Sequence, residues 1–271
     1  MYPVLFQVGD YHLRSYVFCL ALAFAVSVLL FRLLNRQLAA ERRDDFWMLT
    51  NVIGASGFLG ARLFFLAVYG RNLPTRPGLG ALLFSNSEGL STFGAIFGVV
   101  AGTIVFCRLR HFRILEMLDR VALVMPIAHG LARSGCLLNG CCYGRPVGRP
   151  AFWALRFTDP GSAVAPGLLN VPLYPTQLFE IAGDIVIAAI LWFVASKRGA
   201  SSAGRGSLLA WYAAGYGVVR LLGDPYRADF RALPGLDLSI DQLLGAGSAV
   251  LALGLLFLSN RFRSNRFPHS T

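Results

Sequence analysis

Seven apolar stretches recur along this chain, near residues 15–35, 46–70, 91–108, 114–133, 177–196, 206–223 and 240–259. A helix needs roughly 20 residues to cross a hydrocarbon core of about 30 Å. In lipid it must also satisfy its backbone polar groups internally. Each stretch is therefore expected to be a membrane-spanning helix, and the whole an all-α polytopic membrane protein with seven transmembrane helices. Glu116, Asp119 and Arg120 interrupt the start of the fourth. Only 14% of the 271 residues are charged and 55% are hydrophobic, which excludes an ordinary water-soluble domain. No repeat or linker divides the chain, so a single domain, 1–271, is expected.

Basic residues cluster in alternate loops: Arg36, Arg42 and Arg43; Arg108, Arg110 and Arg113; Lys197, Arg198 and Arg205; Arg261, Arg263 and Arg266. The positive-inside rule places these in the cytoplasm, with the amino terminus periplasmic and the carboxyl terminus cytoplasmic. The opposite loops also hold arginines (Arg71, Arg76, Arg145, Arg149, Arg156, Arg227, Arg231), but these loops are longer and include Glu88, Asp159, Asp229 and Asp237. The net charge of +11 suits anchoring to anionic headgroups, and no nucleic-acid partner is expected. The first apolar segment exceeds a signal-peptide core, and no small-residue cleavage motif follows it.

Against this background the stretch from His129 to Pro146 stands out, with its histidine, two arginines, asparagine and three cysteines. Such groups at membrane depth tend to be kept for substrates, ions or protons. His129 and Arg133 are four apart and share a helix face. A neutral imidazole beside a guanidinium suits a general base, and the alternative is a helix-end histidine bonded to a carbonyl. Arg220 and Asp224 are also four apart, with Arg227 a turn later if the helix persists through Pro225. Gln177 and Glu180 lie one turn apart after Pro175, a favoured helix start. Arg62 and Tyr16 add polar groups to spans two and one. Convergence of Arg62, Arg133 and Arg220 at one depth points to a shared anionic ligand, and in a membrane that is a phospholipid headgroup. Gly94, Gly98 and Gly102, four apart, read as a helix-packing stripe. Cys19 and Cys107 read as small buried hydrophobes. Cys136, Cys141 and Cys142 have no standard zinc spacing, and no metal is assigned. With His129 they make only a weak metal site, and packing, redox and acyl-accepting roles remain open for them.

These residues resemble the phosphatidylglycerol–prolipoprotein diacylglyceryl transferase family over nearly the whole chain. The family signature, approximately Gly-Arg-x-Gly-Asn-Phe-x-Asn-Gly-Glu-x-x-Gly, is similar to Ala132-Arg-Ser-Gly-Cys-Leu-Leu-Asn-Gly-Cys-Cys-Tyr-Gly144. The first-span tyrosine matches Tyr16, and a Gly-x-Arg matches Gly60-Ala-Arg62. His-Pro-Ser-Gln-Leu-Tyr-Glu resembles Tyr174-Pro-Thr-Gln-Leu-Phe-Glu180. A late Tyr-Gly-x-x-Arg-x-x-x-Glu resembles Tyr216 to Asp224.

The resemblance implies an inner-membrane enzyme of the same fold, with a lipid cavity opening sideways to the bilayer. It would move the diacylglyceryl group of phosphatidylglycerol onto the lipobox cysteine of a prolipoprotein signal peptide, releasing glycerol 1-phosphate. Arg133 and Arg220 would take the phosphate, with Asp224 orienting Arg220. Tyr16 joins them as a candidate catalytic residue. Arg62, Asn139, Gly140, Gly144, Gln177 and Glu180 would line the substrate site, which faces the periplasm. No cofactor is needed.

Three positions depart from the family pattern. Phe93 stands where the family has a catalytic histidine, Cys136 replaces an asparagine and Cys141 a glutamate. Either His129 supplies the missing base and the reaction survives, or the chain is a diverged paralogue. Such a paralogue would transfer a phospholipid-derived group to another acceptor, or bind anionic lipid without turnover.

Overall fold

A computed structural model describes residues 2–9, 11–70, 89–148, 151–198, 206–229, 233 and 235–264, with backbone alone at 8, 11, 69, 198 and 255–264. Arg71, Arg76, Glu88, Arg149, Arg205, Arg231 and Arg266 lie outside the described residues. The chain is mostly helical. It opens with an antiparallel hairpin, β1 (Val4–Val8) and β2 (Tyr11–Arg14), so all-α is corrected to mostly α. The turn contains Gly9 at φ +58°, a conformation glycine adopts at little cost.

The helices follow as α1 (Ser15–Leu34), α2 (Arg36–Glu41), α3 (Arg43–Tyr69), α4 (Thr92–Leu109), α5 (Ile114–Ala122), α6 (Met125–Asn139), α7 (Thr176–Arg198), α8 (Ser207–Gly223) and α9 (Ile240–Ser264). Among the described residues, α1, α3, α4 and α7 are long and apolar enough to cross a membrane. The pair α5–α6 forms a fifth crossing if its two helices count as one span. The fourth stretch is thus not the continuous helix expected over 114–133. It bends by 40° between α5 and α6, where Pro126 enters at the first turn of α6. Proline removes an N–H and its ring clashes with the carbonyl four residues earlier, so the helix restarts there. α6 then runs to Asn139, which puts Arg133 mid-helix rather than at a helix end.

Two compact units are present, Phe31–Leu118 and a second made of Met1–Leu30 with Asp119–Thr271. In the first, α3 and α4 pack through glycine. A Cβ on Gly98 would lie 2.0 Å from the Ser56 carbonyl oxygen, and one on Gly60 would lie 2.4 Å from that of Gly94. The stripe read from the sequence is therefore a helix–helix contact, as small residues provide in lipid. Gly98→Leu is expected to destabilise the protein by about 3 kcal/mol through overpacking, read as a lower unfolding temperature in detergent. In the same unit the buried Asp45 accepts from Arg42 at 2.7 Å and Arg110 at 2.5 Å.

In the second unit α6, α7, α8 and α9 pack in sequence order. Gly217 and Gly245 allow close approach of α8 to α9, an added Cβ on Gly217 lying 2.3 Å from the Gly245 oxygen. Asp119, which seemed to spoil the fourth span, is buried. Its carboxylate accepts from the backbone N–H groups of Gly206 (3.1 Å), Leu208 (2.8 Å) and Leu209 (3.1 Å). It therefore caps α8, whose first-turn donors have no partner within the helix. Residues 140–148 and 151–175 form an irregular cover with its own apolar cluster of Phe157, Val164 and Leu173.

Candidate active site

The site grows from Glu180, on the first turns of α7 and 3% exposed. Arg133 Nε on α6 lies 2.6 Å from Glu180 Oε2. Arg220 Nη1 on α8 donates to Oε1 at 3.2 Å, and Arg227 Nη1 donates to the same oxygen at 2.8 Å. Two helices and a loop thus send guanidinium groups to one buried carboxylate on a third helix. A buried charge needs such partners because desolvation is costly.

The spacing arguments hold in part. Arg220 Nη2 contacts Asp224 Oδ1 at 2.7 Å, the pair four apart, and it also donates to Asp241 Oδ2 at 2.5 Å. α8 does not continue through Pro225. It ends at Gly223 and passes into one 3-10 turn, Asp224–Tyr226, because proline cannot extend the ladder. Arg227 arrives on extended backbone instead, bridged to Gly144. That bridge explains the glycine: a Cβ on Gly144 would lie 2.4 Å from Tyr174 Cβ and 2.8 Å from the Tyr226 oxygen. Arg227 is further held by Asp229 at 2.8 and 2.7 Å. Burial lifts Asp224 above its usual carboxylate range, opposed by Arg220 and by the Ser239 hydroxyl that donates to it.

His129 lies one turn before Arg133, as its spacing predicts, and it is not a helix-end residue. Its Nδ1 is 2.7 Å from Asp184 Oδ2, while its Nε2 accepts from Arg133 Nε at 3.2 Å. The two contacts together select the tautomer with the proton on Nδ1, which leaves the Nε2 lone pair toward Arg133 and Glu180. The ring stands edge-on to Tyr216 at 5.3 Å between centroids. Asp184 was not singled out from the sequence. Its signal was present: Glu180 and Asp184 are four apart in an otherwise apolar span, so they share one face.

Gly135 lets α1 close on α6, since a Cβ there would lie 2.8 Å from Cys19 Cβ and 3.3 Å from Tyr16 Cα. Tyr16 is thereby brought beside the end of α6. That end is Asn139, followed by Gly140 at φ +79° packed under Ser162 and Phe157. Gln177 Nε2 donates to the Cys141 carbonyl at 2.9 Å, and Thr176 Oγ1 to that of Cys142 at 2.8 Å. Hydrogen bonds from the Cys136 and Cys141 thiols hold Cys142 well below the usual thiol range, helped by Arg133 and Arg227.

Arg62 belongs to the other unit, where its Nη1 donates to the Gly89 carbonyl at 3.0 Å. Phe93, in that unit too, is buried and tilts against Phe97 at 6.3 Å. It is an apolar packing residue.

The arrangement offers a nitrogen base, fixed in tautomer, beside clustered guanidinium groups. Arg220 Nε is buried with no acceptor among the described residues, so the cluster retains a donor for an incoming anion.

A profile of the family described as Prolipoprotein diacylglyceryl transferase matches residues 3–258. A phosphatidylglycerol–prolipoprotein diacylglyceryl transferase of Clostridium tetani is 30% identical over 265 residues, covering 97% of this chain and 99% of the relative. One of Clostridium perfringens, numbered 2, is 29% identical over 95% of this chain and 94% of its own. Another, of Polynucleobacter asymbioticus, is 29% identical over 94% of both.

Proposed function

The chain belongs to the prolipoprotein diacylglyceryl transferase family, and from that premise we propose how its residues carry the reaction. The enzyme transfers the diacylglyceryl group of phosphatidylglycerol to a prolipoprotein cysteine. The attacking thiolate forms a carbon–sulfur bond to the glycerol carbon that bears phosphate. The carbon–oxygen bond breaks, and glycerol 1-phosphate leaves. The thiol must first lose its proton, since the thiolate is the nucleophile.

The observation that carries the assignment is the meeting of Arg133, Arg220 and Arg227 on Glu180, with His129 Nε2 alongside. His129 takes the thiol proton at Nε2, and Asp184 holds Nδ1–H and stabilises the resulting imidazolium. Glu180, Asp224 and Asp241 act as a frame that points the guanidinium groups. The departing phosphate gains Arg220 Nε–H, and charge-assisted bonds of this kind strengthen as negative charge develops. Asn139 and Gln177 fix the turn beside the thiols, Gly140 and Gly144 allow the cover and Arg227 to close in, and Tyr16 flanks the turn. Arg62 is assigned to the same anionic substrate through its family motif.

The wider frame is proposed with it: one domain of seven spans in the bacterial inner membrane, amino terminus periplasmic, carboxyl terminus cytoplasmic, and site toward the periplasm. The alternate clusters of basic residues support that orientation. The acceptor is then a lipobox cysteine presented from the bilayer.

Expression in cells depleted of their own transferase is expected to restore lipidated prolipoprotein. Within that assay His129→Ala and Asp184→Asn are each expected to lower transfer by roughly 100-fold or more. Asp184 acts through His129, so Asp184→Asn also changes the shape of the pH–rate profile. A merely structural Asp184 would lower activity by one factor at every pH. Full transfer by His129→Ala would remove the base. The thiols at Cys136 and Cys141, where the family signature has an amide and a carboxylate, favour one second reading: a paralogue with another acceptor. Failure to complement at normal expression, with transfer of a phospholipid-derived group to a different thiol or amine, selects that reading.

A further inference from the structure

Three thiols unused by the transfer chemistry meet beside it. The sulfurs of Cys136, Cys141 and Cys142 all lie within 4.8 Å of one another, and all three are free. The sequence makes these thiols, with His129, only a weak metal site, because Cys-x4-Cys-Cys matches no zinc pattern. The fold supplies what the spacing does not. α6 ends with Gly140 at φ +79°, its N–H and that of Cys141 both bonded to the Cys136 carbonyl, at 2.9 and 3.1 Å. Such a left-handed cap turns the chain back over the last helical turn.

Cys142 is then itself left-handed, at φ +57°. That conformation is rare for a residue with a side chain and costs on the order of 1 kcal/mol or more. It persists because the carbonyls on either side of it in the turn are held by Gln177 and Thr176. Mere filling of space requires no such conformation. A third thiol brought back to two others does.

We propose that Cys136, Cys141 and Cys142 form a three-sulfur seat for a soft monovalent cation of the copper(I) class. Soft thiolate ligands select copper(I) and zinc among the common ions, and structural zinc is almost always closed by four protein ligands. The cluster offers three sulfurs, and a three-coordinate ion fits that number. Each ligating thiol gives its proton to solvent. The bound ion would tie the end of α6 to the turn that precedes Gly144, and so fix the loop that places Arg227.

The test uses the full chain, purified anaerobically in detergent and titrated with copper(I) against a competing chromogenic chelator. One ion per chain is expected, with an ultraviolet thiolate-to-metal band and a sulfur-only first shell in X-ray absorption. Cys136→Ser, Cys141→Ser and Cys142→Ser should each weaken binding by at least ~10-fold, while Cys19→Ser and Cys107→Ser leave it unchanged. Alkylation mapped by mass spectrometry guards against misfolded variants: in the unaltered protein, copper(I) should protect these three thiols and leave Cys19 and Cys107 at their copper-free reactivity. Stoichiometry that follows Cys19 or Cys107 overturns the proposal. So does zinc held more tightly than copper(I), or a disulfide among the three in protein kept anaerobic throughout. None of these readouts depends on transferase activity, so this proposal and the catalytic assignment fail separately.

Discussion

Arg133→Ala is expected to lower diacylglyceryl transfer about 100- to 1,000-fold, the usual effect of removing one donor aimed at developing charge. Two losses combine. The guanidinium no longer faces the phosphate, and His129 Nε2 loses the donor that now sits 3.2 Å away. Arg133→Lys should not restore activity. Lysine carries charge on one flexible nitrogen, whereas Arg133 uses Nε toward both Glu180 and His129 from a planar fork. The measurement is transfer from labelled phosphatidylglycerol to a lipobox peptide in membranes matched for expression. Activity of the lysine variant near the unaltered level would reduce Arg133 to a bare charge.

Glu180→Gln carries the largest expected effect on stability. The carboxylate contacts Arg133, Arg220 and Arg227, and its side chain is 4% exposed. Removing one partner of a buried ion pair costs about 3–5 kcal/mol, because uncompensated charge stays behind. Melting in detergent should fall by roughly 10 °C. The sign of a second change makes the test specific. Arg227→Met placed on Glu180→Gln removes one of the stranded cations, so the double variant should be more stable than Glu180→Gln alone. Simple additivity of two destabilising changes would show that the groups do not share one cluster.

Much of this was legible before any coordinates. Four of the seven expected spans were, α1, α3, α4 and α7, because runs of about 20 apolar residues admit few alternatives. The pairs His129–Arg133 and Arg220–Asp224 were, because helical spacing is local. What was lost depended on contacts between segments distant in sequence. Asp241 was not singled out, since only packing of α8 on α9 brings it from the head of the last helix to Arg220. Asp119 looked like an interruption, since its partners lie almost ninety residues on. Asp184 could have been found from its spacing to Glu180. The amino-terminal hairpin left a fainter mark, Gly9 between short runs rich in β-branched and aromatic residues. The three cysteines stood out as a group, but their meeting did not, because two left-handed residues, Gly140 and Cys142, fold the sequence spacing back on itself.

The cap on α8 bears on how the chain is made. At 17 residues this helix is shorter than the roughly 20 that span a bilayer unaided. Its opening N–H groups are met by Asp119 rather than by water at the headgroups. A ribosome delivers Asp119 well before Leu208, so the acceptor is already in place when the short helix leaves the translocon. On the proposed seven-span reading, partition into lipid and tertiary contact become one event for this segment, and the arginine it carries reaches the site only after Asp119 has been threaded.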